Sequence, residues 1–116
     1  MRIALALASL AAVMTVAAVA SGDRPRGLSL EQIRNVMRAN ARAFNACLVA
    51  AVRENRQLHG PFVYQIEVDK QGKVMSARPF QPSPVASFDR CITGVLKRAR
   101  FPGGPAHVEA PVPFES

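Results

Sequence analysis

The sequence is poor in the residues from which active sites are built. Its 116 residues include two cysteines and two histidines, and aromatic residues make up 6%. It has no Gly-x-Ser-x-Gly elbow and no glycine-rich phosphate loop, and no two acidic residues form a recognisable catalytic pair. We therefore predict that the protein is not an enzyme and needs no cofactor.

The few candidate ligands are also badly placed for a metal or for nucleic acid. Zinc ligands usually come in close pairs, whereas Cys47, His59, Cys91 and His107 are spread over the whole chain. The aromatic residues at 62 and 64 fall in a predicted core strand, which leaves no exposed platform on which bases could stack. We expect no metal site and no nucleic-acid partner.

The N-terminal segment is typical of a secretory signal peptide. A charged start is followed by an apolar, alanine-rich run up to Ala20, and small residues precede the polar Ser21. We predict cleavage after Ala20 and a periplasmic or secreted protein, with an uncleaved membrane anchor over residues 1–20 as the alternative. We expect residues 21–28 to be a polar, flexible lead-in and residues 29–116 to form a single domain, since that length allows one domain only. This length excludes large enzyme barrels.

Periodic apolar residues predict a long first helix. Ser29 and Gln32 form a capping box. Apolar residues then recur at steps of three and four, at Leu30, Ile33, Met37, Ala41, Phe44, Leu48 and Ala51. We predict helix over residues 30–57, either as one helix or as two abutting helices, ended by Gly60 and Pro61.

The period changes to two after this helix. Alternation over residues 62–68 and 74–80, separated by an Asp69–Gly72 turn, predicts a hairpin whose second strand lies at an edge because it contains Pro79. Ser83 and Pro84 predict the start of the next helix, and alternation over residues 108–114 predicts a third strand. The expected fold is α+β, in the order α-β-β-α-β: two amphipathic helices packed on one face of a three-stranded antiparallel sheet.

Two cysteines in a small exported chain are expected to pair. Cys47 and Cys91 fall on the inward edges of the two predicted helices, so a disulfide between them would join these helices. Two unpaired, buried thiols are the alternative.

Several short motifs resemble the C-terminal domain of TonB-type energy transducers, in its AgmX/PglI-type branch. They are two helical cysteines, an Asp-x-x-Gly turn followed by Val, a Phe-Pro helix end and a closing Val-Pro-Phe strand, here Cys47, Cys91, residues 69–74, residues 101–102 and residues 112–114. The sequence departs from the family pattern at Leu48 and Pro79. The resemblance implies an exported domain that binds another envelope protein.

The positive charge suggests a second way to bind partners. The formal net charge is +7, and Arg34, Arg38 and Arg42 recur at four-residue steps along one flank of the first helix. This flank could meet an acidic protein, an anionic lipid or an envelope glycan. A solvated surface without a binding role is the alternative.

The prolines predict which sheet edge can accept a partner strand. Pro111 and Pro113 are two residues apart, so their missing N–H groups lie on the same side of the third strand, and that side cannot sustain a regular ladder. We therefore predict that an extended partner docks along the second strand, at Lys73, Val74, Met75, Ser76, Ala77 and Arg78, or else on the arginine flank.

Overall fold

The computed structural model describes residues 27–114, which form three helices and one three-stranded antiparallel sheet. The predicted signal peptide, its cleavage site and most of the lead-in lie outside these residues. The elements are α1 (Leu30–Ala39), α2 (Ala41–Glu54), β1 (Val63–Val68), β2 (Val74–Pro79), α3 (Ala86–Arg98) and β3 (Ala106–Pro111). The predicted α+β class and antiparallel sheet are confirmed. Across residues 27–114, every helix is too short or too polar to cross a membrane.

The predicted first helix is two helices that abut at Asn40. The capping box is present: the Ser29 hydroxyl accepts a hydrogen bond from the Gln32 amide, and the Gln32 side chain accepts one from the Ser29 amide. The Asn40 side-chain amide donates to the Val36 carbonyl at 2.9 Å, a local bond that competes with helix continuation. The second helix ends at Glu54, three residues before the predicted end.

The hairpin forms around the predicted turn. Gly72 has a φ of 85°, and the Asp69 carboxylate accepts hydrogen bonds from the amides of Gln71 and Lys73. Glycine is required here because a Cβ on residue 72 would lie 1.9 Å from the Phe101 carbonyl oxygen. The hairpin contains one irregularity, a bulge in β2 opposite Glu67 and Val68.

The predicted start of the last helix is wrong by two residues. The N-cap is Val85, and the helix begins at Ala86. The Ser83 hydroxyl instead bonds the backbone of Val85 in a local turn, while the Asp89 carboxylate accepts the Ser83 amide. A Ser-Pro pair suits both a helix cap and this kind of turn, so the sequence alone did not separate them.

The last strand is displaced toward the N-terminus relative to the prediction. It covers Ala106–Pro111 instead of 108–114, although Val112 still donates its amide to the Phe62 carbonyl at 2.9 Å. The sheet order is β2-β1-β3, so β2 and β3 are both edge strands, as Pro79 predicted for β2.

One hydrophobic cluster joins the sheet to all three helices. Tyr64, Ile66 and Val108 come from the buried sheet face, Met37 and Phe44 from the first two helices, and Phe88, Ile92 and Leu96 from the third. The opposite sheet face carries polar side chains, among them Gln65, Glu67, His107 and Glu109.

The predicted Cys47–Cys91 disulfide is present and joins α2 to α3, with the two Cα atoms 5.7 Å apart. No cysteine within residues 27–114 is free. Cys47 is 2% exposed, but Cys91 is exposed, so the expectation that both lie on inward edges is wrong for Cys91. Its helix turns Phe88, Ile92 and Val95 toward the core and leaves position 91 at the surface.

A groove between the first helix and an edge strand as the candidate functional site

An open groove of about 520 Å³ lies between α1 and β3. We call it the α1–β3 groove. Five residues of the first helix line it, together with the outer part of the last strand and the proline beyond it: Leu30, Ile33, Arg34, Met37, Arg38, residues 107–111 and Pro113. Its volume is in the range of natural ligand-binding clefts.

The helical period explains why apolar and basic side chains meet in this groove. Residues three and four apart share a helix face, so Leu30, Arg34 and Arg38 form one row, with Ile33 and Met37 beside it. Met37 is buried and Leu30 is 63% exposed, which gives the groove an apolar wall that runs from the core to solvent. An exposed leucine in the first turn of a helix is free to contact a partner.

Backbone hydrogen bonds determine what the β3 side of the groove offers. The Val112 amide points toward β1, so the amides at odd-numbered positions of this strand point away from it. Pro111 and Pro113 have no amide to offer. His107 and Glu109 each keep an outward N–H group, so this edge can pair over a short stretch only.

The second edge, at β2, offers fewer free amides than the sequence suggested. Lys73 forms a backbone bridge with Arg100, which covers the start of the strand, and the bulge follows around Met75. The Phe80 amide points toward β1, so Ala77 and Pro79 lie on the outward side of the ladder. Ala77 therefore supplies the one regular outward amide of β2, beside a Met75 side chain that is 67% exposed.

The structure separates the three arginines of the predicted flank. Arg34 and Arg38 line the α1–β3 groove, whereas Arg42 belongs to α2, beyond the break at Asn40, and does not line the groove. The flank is therefore a pair of arginines facing an edge strand, with the third exposed elsewhere on the surface.

The positive charge of the described residues is not neutralised internally. Of 15 lysines and arginines in the chain, all but Arg2, Arg24 and Arg26 lie within residues 27–114. In that range no lysine or arginine forms an ion pair, and both ion-pair contacts involve His107. Several carboxylates are already occupied by other donors: Asp69 by backbone amides, Glu54 by Ser87 and Glu109 by Gln65. An acidic partner would therefore meet arginines that form no ion pair within residues 27–114.

Among the titrating groups of residues 27–114, buried Tyr64 is the one with a strongly shifted pKa. The Tyr64 hydroxyl donates to Asp89 Oδ1 at 2.5 Å. Burial, the hydrogen bond to Asp89 and the negative charge of that carboxylate raise the pKa of Tyr64 well above its ordinary value. The protonated phenol donates to a carboxylate that also accepts the Ser83 amide, so this hydrogen bond connects β1 to α3.

A second surface combines apolar and basic side chains. We call it the α2 patch; it consists of Leu48, Val49, Val52, Arg53 and Arg56. It is shallower than the α1–β3 groove, and Val49 is 49% exposed.

The two histidines are exposed. The described part of the chain holds no cluster of three or more potential metal ligands. His107 bonds Glu67 on the outer sheet face. Sequence reasoning missed the α1–β3 groove as a site, although Leu30 at the first turn and the two prolines of the last strand were its visible signals.

Searches of protein-family models, curated proteins and solved structures found no match to this chain.

Proposed function

We propose that this chain is an exported, non-enzymatic interaction module that binds another protein of the cell envelope through its α1–β3 groove. The order of elements and the motifs that resemble the TonB/AgmX-type C-terminal domain support this proposal, as does the signal-peptide pattern at the N-terminus. In this proposal the mature protein begins at Ser21, and N-terminal sequencing of the exported material would detect a retained leader.

The main support for the proposal is the α1–β3 groove, where two exposed arginines lie beside an apolar wall. Arg34 and Arg38 donate no hydrogen bond to any group within residues 27–114 and form no ion pair there, although they lie beside an open cavity. Exposed apolar surface rimmed by unpaired charge is typical of a protein-binding site.

Chemical cross-linking in the native envelope fraction tests the proposal. The mature domain and the double variant Arg34→Gln/Arg38→Gln are compared with the matched control Arg53→Gln/Arg56→Gln, which removes the same charge from the α2 patch. We expect one protein adduct that forms with the wild type and the control and is lost with the groove variant. Equal loss in both variants would show a nonspecific attraction of charge and would overturn the proposal.

A second candidate function is binding to an anionic envelope surface, either lipid or glycan. The α2 patch favours it, because exposed Val49 lies beside Arg53 and Arg56, and apolar and basic groups together suit a lipid headgroup layer. Sedimentation with vesicles of anionic lipid, and with neutral vesicles as the control, measures this activity. If this candidate is right, Arg53→Gln/Arg56→Gln should lose vesicle binding, and Arg34→Gln/Arg38→Gln should keep it.

A further inference from the structure

We propose that the occupant of the α1–β3 groove is an amphipathic helix of the partner protein, with carboxylates at positions i and i+4 beside a row of apolar side chains. This inference rests on the proposed function and identifies the secondary structure and the chemistry of the partner segment. Three features carry it: the uncovered apolar face of α1, the two arginines on that same face, and the missing hydrogen-bond donors of the β3 edge.

The first helix has an apolar face that the fold leaves largely uncovered. Leu30, Ile33 and Met37 lie on one side of α1 and line the groove. Met37 is the one buried residue of this helix, and Leu30 is 63% exposed. The other two helices each bury four residues. Because the apolar stripe of a helix normally packs against another element, α1 has a free surface for a packing partner.

The arginines and the apolar side chains of the groove come from the same face of α1. The apolar set is Leu30, Ile33 and Met37, and the basic set is Arg34 and Arg38. An occupant must therefore present its carboxylates and its apolar groups from one side of its own backbone. Successive side chains of an extended segment point to opposite sides. Positions i, i+3, i+4 and i+7 of a helix share one face, so a helix can present both sets together.

The spacing and the charge of the arginines suit carboxylates on such a helix. Arg34 and Arg38 are four residues apart, so their Cα atoms are about 6 Å apart along the helix axis. Glutamates at i and i+4 of a helix packed along α1 have the same spacing, so each can meet one guanidinium group. The one carboxylate lining the groove belongs to Glu109, and its oxygen accepts a hydrogen bond from Gln65 at 3.2 Å. Two arginines against one carboxylate favour an acidic occupant.

The β3 edge also favours an occupant that needs no backbone pairing. His107 and Glu109 present outward amides, while Pro111 and Pro113 have none to offer. A regular ladder therefore cannot extend along this edge. A helix satisfies its backbone groups internally, and covering an edge strand with a helix is a common way to close a sheet. Carboxylates of the helix, or water, can accept the two outward amides.

Fluorescence anisotropy and circular dichroism with designed peptides test the inference on the mature chain. The probe is a labelled peptide with capped ends, Ala-Glu-Gln-Ala-Leu-Glu-Gln-Ala-Leu-Leu-Gln-Ala. One control exchanges each glutamate with the alanine two positions later, which moves both carboxylates to the opposite helix face and keeps the composition. The other control replaces the second glutamine by proline, which breaks the helix and keeps every charge and leucine.

We expect the probe to bind several-fold more tightly than either control peptide. A peptide of this length is largely unfolded by itself, so the helical circular dichroism signal of the mixture should exceed the sum of the signals of protein and peptide measured separately. The same excess should be absent with the proline peptide.

Protein variants locate the binding. Arg34→Gln/Arg38→Gln should weaken binding of the probe by about fivefold, because two exposed ion pairs of modest strength are lost. It should leave the affinity of the exchanged-glutamate peptide unchanged within about twofold, since that peptide makes neither pair. Arg53→Gln/Arg56→Gln should change the affinity of the probe by less than about twofold, since these charges lie in the α2 patch. Leu30→Ser should also weaken binding of the probe, and Val49→Ser, an exposed apolar control on α2, should not.

Four outcomes would overturn the inference. Equal affinity for the probe and the exchanged-glutamate peptide would show that the position of the carboxylates does not matter. Equal affinity for the proline peptide would show that the occupant need not be a helix. Equal weakening by the two double variants would place binding outside the groove. Binding of anionic vesicles that needs Arg34 and Arg38 and that the probe cannot displace would make the occupant a lipid.

The cross-linking experiment separates failure of this inference from failure of the proposed function. A protein adduct that depends on Arg34 and Arg38, together with no binding of the probe, would refute a helical acidic occupant and leave the proposed function standing. An adduct that is lost equally in both double variants would refute the proposed function itself.

Discussion

Loss of the disulfide should remove a large part of the stability of this domain. The bridge between Cys47 and Cys91 spans a sequence separation of 44 residues. In the chain-entropy description, closing a loop of that length destabilises the unfolded chain by about 4 kcal/mol. The free energy of unfolding of a small domain is only about 5 to 15 kcal/mol in total. We therefore expect Cys91→Ser to lower the free energy of unfolding by about 4 kcal/mol.

Position 91 is the better site for this test because it is exposed, so serine there disturbs little of the folded packing. Cys47 is 2% exposed, and Cys47→Ala should lose about 1 kcal/mol more, since it also removes a buried sulfur atom. The difference between the two variants separates the effect of the crosslink from the effect of core packing.

Urea unfolding followed by far-ultraviolet circular dichroism measures both effects. With a slope near 1.5 kcal/mol per molar urea, the midpoint of Cys91→Ser should fall by roughly 2.5 M relative to the oxidised wild type. The wild type unfolded in reducing agent should match Cys91→Ser. A difference below about 1 kcal/mol, or two titratable thiols in the native protein, would refute this reasoning.

Four further substitutions should each change stability for a local reason. Tyr64→Phe should lower the free energy of unfolding by about 1 to 3 kcal/mol. Because the pKa of Tyr64 is raised in the folded state, the wild type should lose stability as pH rises above about 10, where only the unfolded state ionises. This alkaline loss of stability should be weaker in the variant. Gly72→Ala should destabilise the fold by more than about 2 kcal/mol, because residue 72 has a positive φ and its Cβ position is blocked. Gly94→Ala, in a helix with ordinary space for a Cβ, should stabilise the fold by about 0.5 to 1 kcal/mol. Thermal melts of both variants show whether the melting temperature falls or rises. Ser29→Ala should lose about 1 kcal/mol in the same melts, by removing the capping box, and an unchanged melting temperature would contradict that role.

Local patterns predicted the helices and strands well because each pattern reports a local backbone preference. The capping box at Ser29, the alternation before Asp69 and the glycine at 72 all appear in the structure where the sequence places them. The errors occur where one motif suits two local structures. Ser83 and Pro84 form a turn instead of a cap, and Asn40 interrupts a stripe whose period continues unbroken through it.

The candidate site was only partly predictable, because it joins segments about seventy residues apart in the chain. The arginine flank and the blunted side of the last strand were each visible as patterns. Neither pattern shows that the arginines and the last strand line the same groove. At the expected docking edge, Lys73 to Arg78, the bulge and the pairing with Arg100 reduce the number of backbone amides that a partner strand could use. These contacts form only once the strands have paired.

The sequence by itself determined the class of fold, the antiparallel hairpin, the disulfide partners and the missing donors at Pro111 and Pro113. Periodicity and proline chemistry are properties of one segment, and two cysteines can pair in only one way, so none of these predictions needs the tertiary structure. Only the tertiary structure decided that β1 lies in the middle of the sheet, that Cys91 faces solvent, and that Arg34 and Arg38 stand opposite β3 while Arg42 does not. The physical reason is that the break at Asn40 puts Arg42 in a different helix from Arg34 and Arg38, and the shared core holds α1 beside an edge strand distant in sequence.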